Sequence, residues 1–326
     1  MQSIIVILGF GRSGTTWLSD VISKKMGGLI LFEPFHPSVT NCSSQFAYSH
    51  ISQEKDSKLL EGFLNDVLNK RHKRKWLLRN HIPVSLDEVT DDFQDTVWQE
   101  CNILGFKEPR ASFLISWLQK NFNAKIVFIV RHPCAVIASI KKRVNFWEEF
   151  GWSQNYKMFL QKTIFSESFH NHEIINYIDV VENARTDIEK MSVMWSITHS
   201  VAIEELERLS IPIFHYEDFY YAPFLFFRNL FAYIGYSGSN LHPSYFFTPS
   251  MTTVKTLHGL YNYEGKFVEK GASLFWENIL DDSEVDTIMK IVNSFGIYIY
   301  DKTGFPVRKA NKETYLNRRV KDLITH

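Results

Sequence analysis

Residues 4 to 16 read IIVILGFGRSGTT. An unbroken apolar run of strand type ends in a glycine-spaced loop. The residues that follow place Trp17, Leu18, Val21 and Ile22 on one helical face. A strand, a tight turn and a helix in immediate succession aim several backbone N–H groups at one point, with a helix N-terminus behind them. That arrangement is an anion cradle, so the stretch predicts a grip on a phosphate-like group.

The loop fits three templates. Gly9, Gly11 and Gly14 satisfy G-x-G-x-x-G, and Glu33 follows at roughly the 20-residue spacing at which a dinucleotide fold places its ribose acid. Gly9 to Gly14 also satisfies G-x-x-x-x-G, but Thr15 and Thr16 stand where the triphosphate loop needs Lys and then Ser or Thr. The third template sets a cation ahead of the serine, as Arg12 does before Ser13, Gly14, Thr15, Thr16 and Trp17.

Working outward, five apolar runs read as buried parallel strands: 3–8, 28–32, 102–106, 126–130 and 211–215. Helical patterns over 14–25, 110–121, 133–143 and 184–209 lie between them. The alternation predicts an α/β fold, a parallel central sheet flanked by helices. The whole chain, 1–326, reads as one domain with largely helical insertions at 38–100 and 145–183. In such sheets ligands bind beyond the carboxyl ends of the strands. That rule collects the Gly9–Thr16 loop, Glu33, Lys107, Arg131 and the group Tyr216, Glu217 and Asp218 at one rim. Pro34 is expected to hold Glu33 in an extended conformation, with its carboxylate aimed off the strand end.

Composition narrows the function. The 326 residues are 45% hydrophobic with a formal net charge of zero. That allows one large core and argues against general nucleic-acid binding. No apolar stretch approaches the roughly 18 residues of a membrane span. With no basic leader before Ile4 and no C-x-x-C among Cys42, Cys101 and Cys134, the expectation is a cytoplasmic, reducing location. His170 and His172 flank Asn171 without an H-E-x-x-H pattern, which reads as a polar loop rather than a metal site. The basic run KRHKRK at 70–75 reads as a solvated helix face before it reads as an anionic-glycan site.

GFGRSGTTWL, residues 9–18, resembles the 5′-phosphosulfate loop of sulfotransferases that use 3′-phosphoadenylyl sulfate (PAPS). Two further segments resemble the same family in the same order. AKIVFIVRHPCAVIASIKKR, residues 124–143, is similar to its 3′-phosphate segment, with Arg131 and Ser139 at the matching positions. Arg143 matches a phosphate-contacting arginine of some members. MWSITHSVAIEELERLSIPIFHYEDFYYAPFLFFRNLFAYIGY, residues 194–236, is similar to its tryptophan helix, Y-E-D strand end and glycine. A weaker likeness at FVEKG, residues 267–271, offers Lys270 and Gly271, with Glu269 where an arginine is expected.

The resemblance implies a three-layer sandwich like that of P-loop nucleotide hydrolases. It implies transfer of the sulfuryl group of PAPS to an acceptor hydroxyl, R–OH + PAPS → R–OSO₃⁻ + adenosine 3′,5′-bisphosphate, with no metal. It implies Glu33 as base, with His36 in reserve, and Arg12 and Lys107 neutralising the leaving oxygen. Arg131 and Ser139 would share the 3′-phosphate, Tyr216 would help hold the adenine, and Trp195 would be core. The order Phe32–Glu33–Pro34 resembles carbohydrate sulfotransferases, so a sugar hydroxyl leads as acceptor. Two alternatives stay open: a nucleotide-binding module without catalysis, and an NAD-dependent Rossmann dehydrogenase.

Overall fold

The computed structural model describes residues 3–72, 74–78, 98–142, 152–166, 177–236 and 275–307. Strands β1 (Ile5–Gly9), β2 (Leu29–Phe32), β3 (Ile103–Lys107), β4 (Lys125–Val130) and β5 (Ile213–His215) form one parallel sheet in the order β2-β3-β1-β4-β5. The helices in chain order are α1 (Thr15–Met26), α2 (Glu54–Leu68), α3 (Arg74–Leu77), α4 (Ile115–Phe122), α5 (Pro133–Lys141) and α6 (Trp152–Lys162). There follow α7 (Ile178–Asn183), α8 (Asp187–Arg208), α9 (Tyr216–Tyr221), α10 (Pro223–Ile234) and α11 (Asp282–Ser294).

Side-chain alternation along the strands divides the interior. Val6, Leu8, Leu31, Phe106, Ile126 and Phe128 enter one core, with α4, α5, α8 and α11 over it. Ile5, Ile7, Ile30, Val127 and Ile129 enter a second, closed by Trp17, Leu18, Val21 and Ile22 of α1 and by the phenylalanines of α10. Strands buried on both faces explain why the runs lack polar alternation, and the result is a three-layer sandwich. Leu60, Leu64 and Val67 of α2, and Tyr156 and Phe159 of α6, join the first core.

Helix ends follow their local chemistry. Gly27 closes α1 at φ 66°, with Lys24 and Lys25 in the last turn. Thr186 and Glu189 form a reciprocal capping box at the start of α8. The helix expected over 110–121 is instead a 3₁₀ turn, Pro109–Ala111, followed by α4, because the Glu108 carboxylate caps the turn by accepting from the Arg110 N–H. In the basic run, Lys70 donates to the carbonyls of Gln99 and Cys101, and Arg71 pairs with Asp66. Among the described residues, no helix is long and apolar enough to cross a membrane.

Candidate active site

The loop after β1 is shaped by two glycines. A Cβ on Gly9 would lie 2.4 Å from the Ile129 carbonyl oxygen, and one on Gly14 would lie 2.6 Å from Cε2 of Tyr216. Arg12 (φ 70°) and Gly14 (φ 92°) flank Ser13 in left-handed backbone. Gly14 caps α1 without a side-chain hydrogen bond, so the first N–H groups of α1 open into the loop. The Ser13 hydroxyl is buried and has no hydrogen-bond partner among the described residues.

The segment after β4 meets this loop directly. Arg131 Nη1 donates to the Arg12 carbonyl at 3.0 Å. Its guanidinium carbon lies 4.4 Å from the centre of the Tyr216 ring and 5.4 Å from that of Phe275. Its buried Nε has no partner among the described residues. Arg12 Nε donates to Ser139 Oγ at 3.1 Å. The hydroxyl expected to share a phosphate with Arg131 is therefore held by Arg12, because the left-handed turn at Arg12 carries its side chain across to α5. Trp17 packs edge-on to Tyr216 at 6.1 Å. The orphaned Ser13 hydroxyl and the orphaned Arg131 Nε, beside the open N-terminus of α1, suit a phosphorylated nucleotide. Arg143, Lys270 and Gly271 lie outside the described residues, as do His170 and His172.

On the other side of β1, Lys107 Nζ donates to Glu33 Oε1 at 2.6 Å and to Thr16 Oγ1 at 3.0 Å. The lysine side chain is 3% exposed and that of Glu33 20%, so the acid retains a path to solvent. Arg110 Nη2 reaches Glu33 Oε2 at 3.1 Å, and its Nε reaches Glu108 Oε1 at 2.8 Å. Glu33 thus pairs with Lys107 and Arg110 rather than with Arg12. Burial alone would raise its pKa, but the charges of Lys107 and Arg110 outweigh it and the net direction is down. Glu108, fully buried, moves the other way, because desolvation exceeds the pull of Arg110. The carbonyl of Arg110 accepts from the Tyr48 N–H at 2.7 Å. The segment before Tyr48 is pinned by Lys162, which donates to the carbonyls of Ser44, Gln45 and Ala47.

Two expectations need correction. Glu33 is not extended: its φ is 42°. Its N–H donates to the Lys107 carbonyl at 2.8 Å, and its carbonyl accepts from the His36 N–H at 3.1 Å. This turn and the two cations outweigh the extended preference that Pro34 imposes. Glu217 does not face the rim either. It lies in the first turn of α9, is 1% exposed, and accepts from the His132 N–H and the Tyr300 hydroxyl. His36, the reserve base, stacks on Trp76 at 3.5 Å. Trp195 is fully buried in the first core.

Arg110 and Asp20 were not singled out from sequence. Arg110 stands in GFKEPR, where a second cation so close to Lys107 is the available signal. Asp20 lies one helical turn after Thr16. Burial pushes its carboxyl up to about 7, against the pull of Lys24 and Lys107. Among the described residues, no group of three His, Cys, Asp or Glu side chains is arranged to hold a metal ion.

The chain resembles the solved sulfotransferase domain from the curacin biosynthetic pathway (15% identity, 91% of this chain and 99% of that one, TM-score 0.42). It also resembles the sulfotransferase domain of the Synechococcus PCC 7002 olefin synthase (16%, 91% and 95%, TM-score 0.43). Sulfotransferase STF9 from Mycobacterium avium is more distant (14%, 74% and 65%, TM-score 0.31). No curated protein matches the chain. The description of the sulfotransferase family matches residues 4–237, which include the anion loop, the Glu33–Lys107 pair and the Arg131 segment, and the chain belongs to that family.

Proposed function

We propose that this sulfotransferase moves the sulfuryl group of PAPS to an acceptor hydroxyl, with a sugar hydroxyl as the leading acceptor, and that Glu33 is the base. The observation that carries the reading is the position of the Lys107 ammonium, bonded to both Glu33 and Thr16. One cation is shared by the proton acceptor and the first turn of the anion-binding helix.

PAPS supplies an activated sulfuryl group on its 5′-phosphate. The acceptor oxygen bonds to sulfur, the bond from sulfur to the phosphate oxygen breaks, and the hydroxyl proton passes to Glu33. The lowered pKa of Glu33 keeps the carboxylate ionised, and its basicity rises when Lys107 turns away from it. Arg12 and Lys107 face the charge that grows on the leaving oxygen; donors of this kind are worth roughly 3–4 kcal/mol each when removed. As Lys107 turns toward that charge it loosens its hold on Glu33, while Arg110 keeps the carboxylate in position. Arg131, in contact with Tyr216 and Phe275, takes the 3′-phosphate, and Ser139 joins it once the Arg12 side chain that donates to it swings to the leaving oxygen. The sugar preference rests on the resemblance at Phe32–Glu33–Pro34.

A second reading, a nucleotide-binding module without transfer, is favoured by one observation: both oxygens of Glu33 are held by cations. The test is transfer of labelled sulfate from PAPS to a panel of glycans, lipids and peptides, with thermal shift by adenosine 3′,5′-bisphosphate in the absence of magnesium. Glu33→Gln is expected to lower turnover at least about 10²-fold, the low end for a positioned base, and to keep the bisphosphate shift. Full turnover in that variant removes Glu33 from the mechanism. A bisphosphate shift with no transfer to any acceptor establishes the second reading.

A further inference from the structure

The surroundings of Arg131 are built largely from a part of the chain far away in sequence. His132, the next residue, caps α5: its Nδ1 accepts from the Cys134 N–H at 3.2 Å. Its Nε2 lies 2.8 Å from the Asp301 carbonyl oxygen, so that nitrogen carries the proton. Its ring lies parallel to Trp276 at 5.3 Å. Burial pushes the ring down to about 4, which keeps it neutral, and the two hydrogen bonds fix this tautomer.

The backbone N–H of His132 donates to Glu217 Oε1 at 2.9 Å, and the Tyr300 hydroxyl donates to Glu217 Oε2 at 2.6 Å. The same hydroxyl lies 3.2 Å from His215 Nδ1. The Phe275 ring lies 5.4 Å from the Arg131 guanidinium carbon. Residues 275, 276, 300 and 301 thus touch Arg131 itself, the ring of His132 or the acid that anchors the His132 backbone. Tyr216, whose ring carries the guanidinium, is the neighbour of Glu217 and shares its helix.

We propose that this C-terminal strap sets the donor's 3′-phosphate selectivity, with Tyr300 as a positioning residue that acts on Arg131 through Glu217 and His132. The inference rests on the donor reading above and adds residues that the reading does not use. Without the hydroxyl, Glu217 keeps one hydrogen bond instead of two in a fully buried position. Its hold on the backbone at the root of Arg131 loosens, and the grip on the 3′-phosphate loosens with it. The 5′-phosphate loop meets this network through the Arg131 bond to the Arg12 carbonyl and through Tyr216 beside Gly14, and no strap residue bonds to it in this network, so its grip is expected to change much less.

The experiment is calorimetric titration of the full chain with adenosine 3′,5′-bisphosphate and, separately, adenosine 5′-monophosphate. Tyr300→Phe is expected to weaken the bisphosphate about tenfold, the scale of one charge-assisted hydrogen bond. The monophosphate should stay within about twofold. The ratio of the two affinities is the readout, because a general loss of structure lowers both together. His132→Asn is the second variant: Asn retains the cap of α5 and gives up the bond to the Asp301 carbonyl, so the same fall in ratio is expected. Should Tyr300→Phe fail to fold, the decision passes to His132→Asn. An unchanged ratio, or an equal loss for both nucleotides, overturns the inference. A wild-type protein that does not prefer the bisphosphate overturns the donor reading itself.

Discussion

Replacing Asp20 by Asn should stabilise the protein at neutral and alkaline pH and do nothing at acid pH. Asp20 lies on α1 with its Oδ1 shut away from solvent and without a hydrogen-bond partner among the described residues. Desolvation, opposed by Lys24 and Lys107, moves its carboxyl from the ordinary 3.8 to about 7. Below about pH 4 the folded and unfolded chains both hold the proton. Between about 4 and 7 the folded chain keeps a proton that the unfolded chain has released, so stability falls as pH rises through this window. Above 7 both have lost it and the full penalty remains. The interval corresponds to an upper bound of roughly 4 kcal/mol at ~1.4 kcal/mol per tenfold change in proton affinity. Asp20 is only partly shielded, and solvent screening brings the expected gain to about 2 kcal/mol at pH 8. Asn keeps the shape of the protonated acid, so packing is not disturbed. The assay is urea unfolding of both proteins at pH 4, 6 and 8, read as the difference in unfolding free energy. A difference that does not grow with pH, or a variant less stable at pH 8, refutes the reasoning.

Gly14→Ala is expected to cost about 1–2 kcal/mol from the left-handed backbone, with a further loss from the contact its Cβ would make with Tyr216. Because that ring supports Arg131, the bisphosphate-induced rise in melting temperature should shrink in the same variant; an unchanged rise would contradict the placement of Tyr216. Arg110→Ala removes the cation beside fully buried Glu108. By analogy with broken buried ion pairs it should destabilise the fold by about 3–5 kcal/mol. Guanidinium unfolding at pH 7 measures the cost, and a loss below about 1 kcal/mol would show that water reaches Glu108.

Much of this fold is legible in the sequence because parallel strands buried on both faces must be apolar without interruption, and all five runs became strands. The strand order is not legible, since parallel neighbours come from distant segments and leave no local mark. At the site, the anion loop is readable because its glycines answer to local geometry. Glu33 shows the limit: the residue before a proline is expected to be extended, yet contacts with Lys107 and His36 give it a φ of 42°. Glu217 shows another. As part of a Y-E-D strand end it looks like a rim acid, and its partner Tyr300, 83 residues away, turns it inward. Arg110 reaches Glu33 only because the chain makes a 3₁₀ turn at Pro109 that Glu108 itself caps.

The order β2-β3-β1-β4-β5 gives the enzyme a left and a right hand. The anion loop follows β1, and Arg131 and Tyr216 follow β4 and β5, whereas Glu33, Lys107 and Arg110 follow β2 and β3. Lys107, reaching back to Thr16, is the stitch between the two hands. Under the proposed donor site, changes in segments that pack beside β2 would reach Glu33 and the acceptor side while leaving the loop after β1 and the Arg131 segment in place.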